Sequence, residues 1–170
     1  MIPKKVLYIA IGAPGAGKST YIQRQRAYNP KASVYISRDE IRFSLLKEGD
    51  KYFSHERQVF NEFVKQIQAA IDSPTGPISI YADATHITRK SRKKLLDALA
   101  LQNVASIIFM VFDLSLPTLI YRNSLRTGIK RVPDGVVQNF VANLEEPTKT
   151  EYPAFDNIVI WNVNTEYLLP

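Results

Sequence analysis

Five short apolar runs recur along the chain, and each is bounded by glycine, proline or polar residues. The runs extend from Val6 to Ile11, Ser33 to Ile36, Ile78 to Ala82, Ala105 to Phe112 and Ile158 to Trp161. Continuous apolar runs of this length, rich in β-branched side chains, are typical of strands that are buried on both faces. The pattern therefore predicts a parallel sheet of about five strands.

Apolar stripes with a helical period fill most of the gaps between these runs. Residues 55–72 repeat apolar side chains every three or four positions, with Ser54 as the predicted N-cap. The same period predicts further helices over about 89–101, over 116–126 with Ser115 as the N-cap, and from Pro133-Asp134 to Leu144. Strands that alternate with helices predict an α/β fold with three layers, in which helices cover both faces of the sheet.

Length and composition limit the classes of protein to which the chain can belong. The 170 residues include 45% apolar residues and no long linker, which predicts a single domain over 1–170. The absence of cysteine excludes a disulfide scaffold, a cysteine-ligated zinc site and a thiol nucleophile. No apolar run approaches the ~20 residues of a membrane span. The first run ends in glycines and not in the cleavage site of a signal peptide. We therefore expect a cytoplasmic protein without membrane contacts.

The net charge of +6 is concentrated in the middle of the chain. Residues 86–133 carry nine basic and two acidic side chains, whereas residues 134–170 carry one basic and six acidic side chains. One basic stretch, Arg89 to Lys94, either lines the path of a phosphate-rich ligand or is a solvated helix face.

A glycine-rich segment follows the first predicted strand directly. It comprises Gly12, Ala13, Pro14, Gly15, Ala16, Gly17, Lys18, Ser19 and Thr20. The segment matches the G-x-x-x-x-G-K-[ST] pattern, in the strand-to-helix context that a phosphate-binding loop requires. Its main-chain N–H groups and the N-terminus of the following helix would bind phosphates. Lys18 would reach the β- and γ-phosphates, and the Ser19 hydroxyl would ligate Mg²⁺. The segment predicts binding of ATP or another nucleoside triphosphate.

The rest of the chain indicates which class of phosphate-loop protein this is. A GTPase would need an Asn-Lys-x-Asp motif, and the nearest segment, Thr148-Lys149-Thr150-Glu151, lacks both the Asn and the Asp. The chain is also short for a ring-forming ATPase. A small kinase remains, and it needs a base for the acceptor hydroxyl, cations for the migrating phosphoryl group and a lid.

The candidate base lies in Ser37-Arg38-Asp39-Glu40-Ile41-Arg42, at the carboxyl end of the second predicted strand. Ligands of doubly wound sheets bind at that end of the strands. Asp39 could accept the proton of an attacking hydroxyl, and Arg42, three residues later, could keep Asp39 ionised and bind a phosphate. The alternative is a surface helix N-terminus with an ordinary ion pair.

The third predicted strand ends in Asp83-Ala84-Thr85-His86. Four apolar residues followed by an Asp resemble a Walker B element, in which the carboxylate supports Mg²⁺ through a water. Asp83 could instead orient Arg42 or the acceptor. His86 and His55 are isolated histidines, which we interpret as structural or peripheral.

A basic segment over residues 122–133 is the candidate lid. Arg122 and Arg126 are four residues apart and are predicted to share one helix face, and Gly128 and Pro133 bracket the residues that follow. Guanidinium groups placed on the γ-phosphate would act as arginine fingers. The alternative is a basic helix end that the helix dipole favours.

Four segments together resemble the kinase domain of phage-type 5′-polynucleotide kinases over residues 5–145. They are GAPGAGKST, SRDEIR, DATH, and YRNSLR followed by RVP. The resemblance implies that Asp39 is the general base, that Lys18 and Ser19 bind the triphosphate and Mg²⁺, and that the two lid arginines bind the donor phosphates. It also implies a set of acceptor-binding residues: Arg38, Asp39, Arg42, Asp83 and Thr85. Two features depart from the family. His86 stands where Asn is usual, and the D-x-D-x-T motif of a 3′-phosphatase domain is missing.

The resemblance implies transfer of the ATP γ-phosphate to the 5′-hydroxyl end of DNA or RNA, so that nucleic acid 5′ ends are the expected partners. One alternative is a kinase of the same superfamily that acts on a sugar, a nucleoside or an antibiotic. Another is a nucleotide-dependent nucleic-acid-binding protein without catalysis, which would leave the Asp39–Arg42 pair unexplained.

Overall fold

A parallel sheet of five strands forms the centre of the computed structural model, which describes residues 2–168. The strands are β1 (Lys5–Ile11), β2 (Ser33–Ser37), β3 (Ser79–Asp83), β4 (Val104–Val111) and β5 (Ile158–Asn162). The helices are α1 (Lys18–Tyr28), α2 (Arg38–Leu45), α3 (Glu56–Asp72), α4 (Arg89–Asp97), α5 (Leu116–Ser124) and α6 (Asp134–Ala142). Two short 3₁₀ turns occupy Pro30–Ala32 and Gly128–Lys130.

The strand order is β2-β3-β1-β4-β5, and every neighbouring pair is parallel. The central strand β1 pairs with β3 on one side and with β4 on the other. Ser37 at the end of β2 pairs with Asp83 at the end of β3. The topology therefore brings the segments that follow β1, β2 and β3 to one edge of the sheet.

Apolar side chains cover both faces of the sheet. Leu7 and Ile9 of β1 pack in a core with Phe63 of α3 and Leu95 of α4. On the opposite face, Ala10 belongs to a second core, which α1 and α5 complete. Alternate residues of a strand point to opposite faces, so the uninterrupted apolar run of β1 reflects burial on both sides. The predicted three-layer α/β/α fold with a five-stranded parallel sheet is confirmed.

Helix boundaries differ from the predictions at several ends. Helices α5 and α6 end at Ser124 and Ala142, two residues before their predicted ends. The fourth helix ends at Asp97, several residues before the predicted end near 101. The predicted N-cap of α3 is wrong, because His55 occupies that position. The Ser54 hydroxyl instead accepts a hydrogen bond from the Lys51 N–H at 2.9 Å. The Ser115 N-cap of α5 is confirmed.

Within residues 2–168, no helix combines the length and the apolar character that crossing a membrane requires.

Candidate active site

The phosphate loop joins β1 to α1, and its backbone depends on glycine. Gly15 and Gly17 have φ angles of 88° and 83°, which side chains with a Cβ rarely adopt. A Cβ on Gly12 would lie 2.8 Å from the carbonyl oxygen of Phe112, so a larger residue would push the loop away from β4. These glycines therefore let the loop turn tightly over the edge of the sheet.

Lys18 reaches back over this loop from the first turn of α1. Its Nζ donates hydrogen bonds to the carbonyl oxygens of Gly12 and Ala13, at 2.8 and 2.9 Å. Burial is the main cause that lowers the pKa of Lys18. The negative charge of Asp83 opposes this lowering, whereas the positive charge of Arg126 adds to it. A buried ammonium group held only by carbonyl oxygens is well placed to pair with an incoming phosphate.

Asp83, at the end of β3, lies beside the loop and is 5% exposed. One of its oxygens, Oδ2, accepts hydrogen bonds from the Ser19 hydroxyl at 2.6 Å and from the Tyr35 hydroxyl at 2.5 Å. Burial, followed by the charge of Asp83, raises the pKa of Tyr35, so this phenol stays protonated and donates. The sequence analysis missed Tyr35, which only the pairing of β2 with β3 brings to Asp83.

These contacts bear on the two roles considered for Asp83. In the described part of the chain its hydrogen bonds go to Ser19 and Tyr35, and none goes to Arg42. A serine hydroxyl and a carboxylate side by side are the hard oxygen ligands that Mg²⁺ prefers. The pair therefore fits a magnesium ion held at the mouth of the phosphate loop.

Asp39 occupies the first turn of α2, which begins directly after β2. The Ser37 hydroxyl caps this helix by accepting a hydrogen bond from the Glu40 N–H at 3.2 Å. The Asp39 side chain is 61% exposed. Its Oδ1 accepts hydrogen bonds from Arg42 Nη1 and from the Tyr52 hydroxyl, the latter at 3.0 Å. Both donors bond the same oxygen, so the orientation of the carboxylate is fixed through Oδ1.

Glu56, on α3, fixes the arginines on either side of Asp39. Arg42 donates to both Glu56 oxygens, from Nε at 2.7 Å and from Nη2 at 3.2 Å, and Arg38 adds a bond of 3.0 Å. Burial favours protonation of Glu56, but the hydrogen bond and charge of Arg42 outweigh it and lower the pKa of Glu56. Arg42 is therefore held on both sides, by Glu56 and by Asp39. No sequence motif identified Glu56 or Tyr52.

Arg122, on α5, lies against the phosphate loop. Its Nη1 is 3.3 Å from the position that a Cβ on Gly17 would take. Its Nη2 donates to the carbonyl oxygens of Thr165 and Leu168, at 2.6 and 3.0 Å. The buried Thr165 hydroxyl in turn donates to the carbonyl oxygen of Ala16 at 2.7 Å. The segment after β5 thus braces both Arg122 and the loop, a contact that the sequence analysis missed.

Arg126 has a different environment. Because α5 ends at Ser124, Arg126 lies in the following turn, and the prediction that Arg122 and Arg126 share a helix face is wrong. Its Nη1 donates to the Lys130 carbonyl oxygen at 3.3 Å. The charge of Arg126 is one of the causes that lower the pKa of Lys18.

Thr85 and His86 connect the end of β3 to the phosphate loop and to β1. The Thr85 carbonyl oxygen accepts a hydrogen bond from the Gly12 N–H at 3.0 Å. The His86 ring is buried, and its Nδ1 lies 3.0 Å from the Ala10 carbonyl oxygen. Burial lowers the pKa of His86 to about 4, so the ring is neutral near pH 7. These contacts agree with the structural interpretation of His86.

The basic helix α4 does not present all of its cations to solvent. Arg92 is fully buried and donates to both oxygens of Glu151, from Nε at 2.6 Å and from Nη2 at 3.0 Å. The suggestion that Arg92 lines a phosphate path is therefore wrong. Arg89, Lys90, Lys93 and Lys94 are exposed.

Solved structures with the same fold differ in the substrates that their names give. A chain of the Pnkp1/Rnl/Hen1 RNA repair complex matches with a TM-score of 0.67 and 23% identity, covering 92% of this chain and 48% of that chain. A fungal RNA kinase matches with a TM-score of 0.62 and 14% identity, covering 96% of this chain and 77% of that one. A sugar kinase from Janibacter sp. HTCC2649 matches with a TM-score of 0.60 and 17% identity, covering 94% and 86%. These likenesses show the fold alone, and the chain spans about half the length of the RNA repair protein.

No curated protein matches the sequence significantly. A family model described as an AAA domain matches residues 7–147, which include the phosphate loop, Asp39, Asp83 and both candidate lid arginines. The match covers most of the chain, and the five-stranded fold is that of phosphate-loop kinases. The chain therefore belongs to this AAA domain family.

Proposed function

We propose that this chain transfers the γ-phosphate of ATP to the 5′-hydroxyl end of a DNA or RNA strand. One observation carries the proposal: Asp39 is exposed, oriented through one oxygen by Arg42 and Tyr52, and placed at the sheet edge that holds the phosphate loop. The resemblance of SRDEIR and RNSLR to 5′-polynucleotide kinases selects the 5′-hydroxyl as acceptor.

In this reaction the free oxygen of Asp39 accepts the proton of the attacking 5′-hydroxyl. The hydroxyl oxygen forms a bond to the γ-phosphorus while the bond from that phosphorus to the β–γ bridging oxygen breaks, and ADP leaves. Arg42 and Tyr52 keep the carboxylate in the orientation for proton transfer. Glu56 acts one step further away, by holding Arg42.

Lys18 and the main-chain N–H groups of the loop would bind the β- and γ-phosphates as charge develops on them. Ser19 and Asp83 would hold Mg²⁺, which neutralises phosphate charge when it is bound. Arg126, whose charge acts on Lys18, would meet the γ-phosphate after releasing the Lys130 carbonyl oxygen. Arg122 would first have to release the carbonyl oxygens of Thr165 and Leu168.

A second candidate is a kinase for a small hydroxylated molecule. It is favoured by the sugar kinase neighbour, which has the same fold at a similar level of likeness. The same base, loop and arginines could serve that reaction, because the two candidates differ only in what occupies the space in front of Asp39.

Transfer of labelled phosphate from ATP to two sets of acceptors would separate the candidates. One set contains 5′-hydroxyl oligonucleotides of DNA and RNA, and the other contains sugars, nucleosides and aminoglycosides. We expect efficient labelling of at least one oligonucleotide and little labelling of the small molecules. Labelling of a sugar without labelling of any oligonucleotide would contradict the proposal.

A further inference from the structure

Next to Asp39 the chain exposes an aromatic ring that the phosphoryl transfer does not use. Phe53 is 63% exposed, in the segment between α2 and α3. Its neighbour Tyr52 donates the hydrogen bond to Asp39, and the two rings meet edge to face, with centroids 4.7 Å apart at 82°. The exposed ring is therefore only one side chain away from the candidate base.

The position of this ring is also constrained. The Arg42 guanidinium carbon lies 4.7 Å from the Tyr52 ring centroid and 5.6 Å from that of Phe53. Arg42 is itself held by Glu56 and Asp39. The Phe53 ring is thus exposed and held in place by Arg42 and Tyr52, so it offers a fixed π-face on which a planar ligand can stack.

We propose that Phe53 is the platform on which the base of the acceptor's 5′-terminal nucleotide stacks. The inference rests on the proposed function and deepens it. A 5′-hydroxyl at Asp39 and its own base are separated by a single sugar, and Asp39 and Phe53 are separated by a single side chain. Stacking on an aromatic ring tolerates every base, because each has a π-face, and contributes about 1–3 kcal/mol per base. A sugar acceptor offers no such face, so Phe53 would favour a nucleotide acceptor over a sugar.

Phe53→Ala tests this on two acceptors that differ only at the 5′-terminal nucleotide, which carries either a base or an abasic sugar. With the base present, we expect the acceptor KM to rise roughly 5- to 150-fold, with kcat little changed. This range is the fold-change in affinity that corresponds to the stacking energy of about 1–3 kcal/mol. With the abasic end, Phe53→Ala and the unaltered chain should have the same KM. Phe53→Trp should restore the KM for the acceptor that carries a base.

Tyr28→Ala is the matched control, because Tyr28 is 87% exposed at the far end of α1 from the phosphate loop. It should change neither KM. An unchanged KM for ATP in Phe53→Ala would show that the fold and the donor site are intact. An equal rise in KM on both acceptors, or no rise on either, would overturn the stacking role.

A binding measurement separates this inference from the proposed function. An oligonucleotide with fluorescent 2-aminopurine as its 5′-terminal base should be quenched on binding to the unaltered chain, and much less by Phe53→Ala. If the unaltered chain labels no oligonucleotide, the proposed transfer is wrong, and the stacking role is then decided by the quenching alone. Equal quenching by both proteins would contradict it.

Discussion

At Asp39, one carboxylate oxygen accepts two hydrogen bonds, and the side chain as a whole is 61% exposed. The sequence motif contains the base and one of these donors, Arg42. The second donor, Tyr52, lies 13 residues away in the chain, and Glu56 lies 14 residues from Arg42. The motif therefore contains the proposed base and one of its donors, but neither Tyr52 nor Glu56.

Asp39→Asn tests the base assignment while keeping the shape of the side chain. The amide cannot accept the proton of the hydroxyl, so phosphoryl transfer should fall about 10²- to 10⁴-fold. Binding of ATP, measured by calorimetry, should be unchanged. Glu40→Gln, which alters the adjacent exposed carboxylate, should keep its turnover. Near-native turnover of Asp39→Asn would remove the base from the mechanism.

The buried His86 predicts a pH dependence of stability. Its pKa is lowered from 6.5 to about 4 in the folded chain, so between these pH values the unfolded chain binds a proton that the folded chain does not. The neutral ring therefore contributes to the free energy of unfolding above pH 6.5, and this contribution is lost as the pH falls towards 4. The total loss in the free energy of unfolding is about 3 kcal/mol.

Urea unfolding at pH 7 and at pH 4.5 measures this loss. Carboxylates also titrate in this range, so the informative quantity is the difference between the unaltered chain and His86→Asn. Asn cannot be protonated and tolerates the positive φ of 43° at this position. The variant should lose less stability on acidification. Equal losses in the two proteins would contradict the assignment.

At the scale of elements, burial on both faces made the strands predictable. Each apolar run marks a strand of the sheet, with boundaries that differ by at most one residue. Sequence patterns could not show that Arg92 of α4 is buried, because its partner Glu151 lies 59 residues further along the chain. The same limit applies to Tyr35, which reaches Asp83 only through a tertiary contact, and to Thr165, which reaches the phosphate loop in the same way.

The ion pair between Arg92 and Glu151 should be important for holding α4 to the segment before β5. Glu151→Ala leaves the buried guanidinium without its carboxylate, which should cost about 3–5 kcal/mol of unfolding free energy in urea. The exposed pair of Lys93 and Asp97 on the same helix is the control. Lys93→Ala should leave the urea midpoint nearly unchanged. Similar midpoints for both variants would show that the buried pair does not anchor the helix.

At the scale of the whole molecule, the net charge of +6 is less informative than its distribution. Lys18, Arg42 and Arg92 are occupied within the fold, by the loop carbonyls, by Glu56 and by Glu151. Arg89, Lys90, Lys93 and Lys94 of α4 are exposed and form one candidate surface for a polynucleotide.

Salt dependence of oligonucleotide binding tests whether α4 belongs to that surface. Each phosphate contact contributes about 0.7 to the slope of log affinity against log salt for a single strand. Lys90→Ala should therefore reduce the slope by roughly this amount. Lys31→Ala, in the 3₁₀ turn at the opposite end of the strands, should not change it. An unchanged slope for Lys90→Ala would mean that the helix face is only solvated.

Locating the transferred phosphate shows whether a 5′-hydroxyl is the acceptor. The chain is incubated with γ-labelled ATP and an oligonucleotide that ends in either a 5′-hydroxyl or a 5′-phosphate, and the product is digested to mononucleotides. We expect label only from the 5′-hydroxyl oligonucleotide, and only as the 5′-phosphate of its terminal nucleotide. Absence of label from both oligonucleotides, or label at any other position, would show that the proposed transfer is wrong.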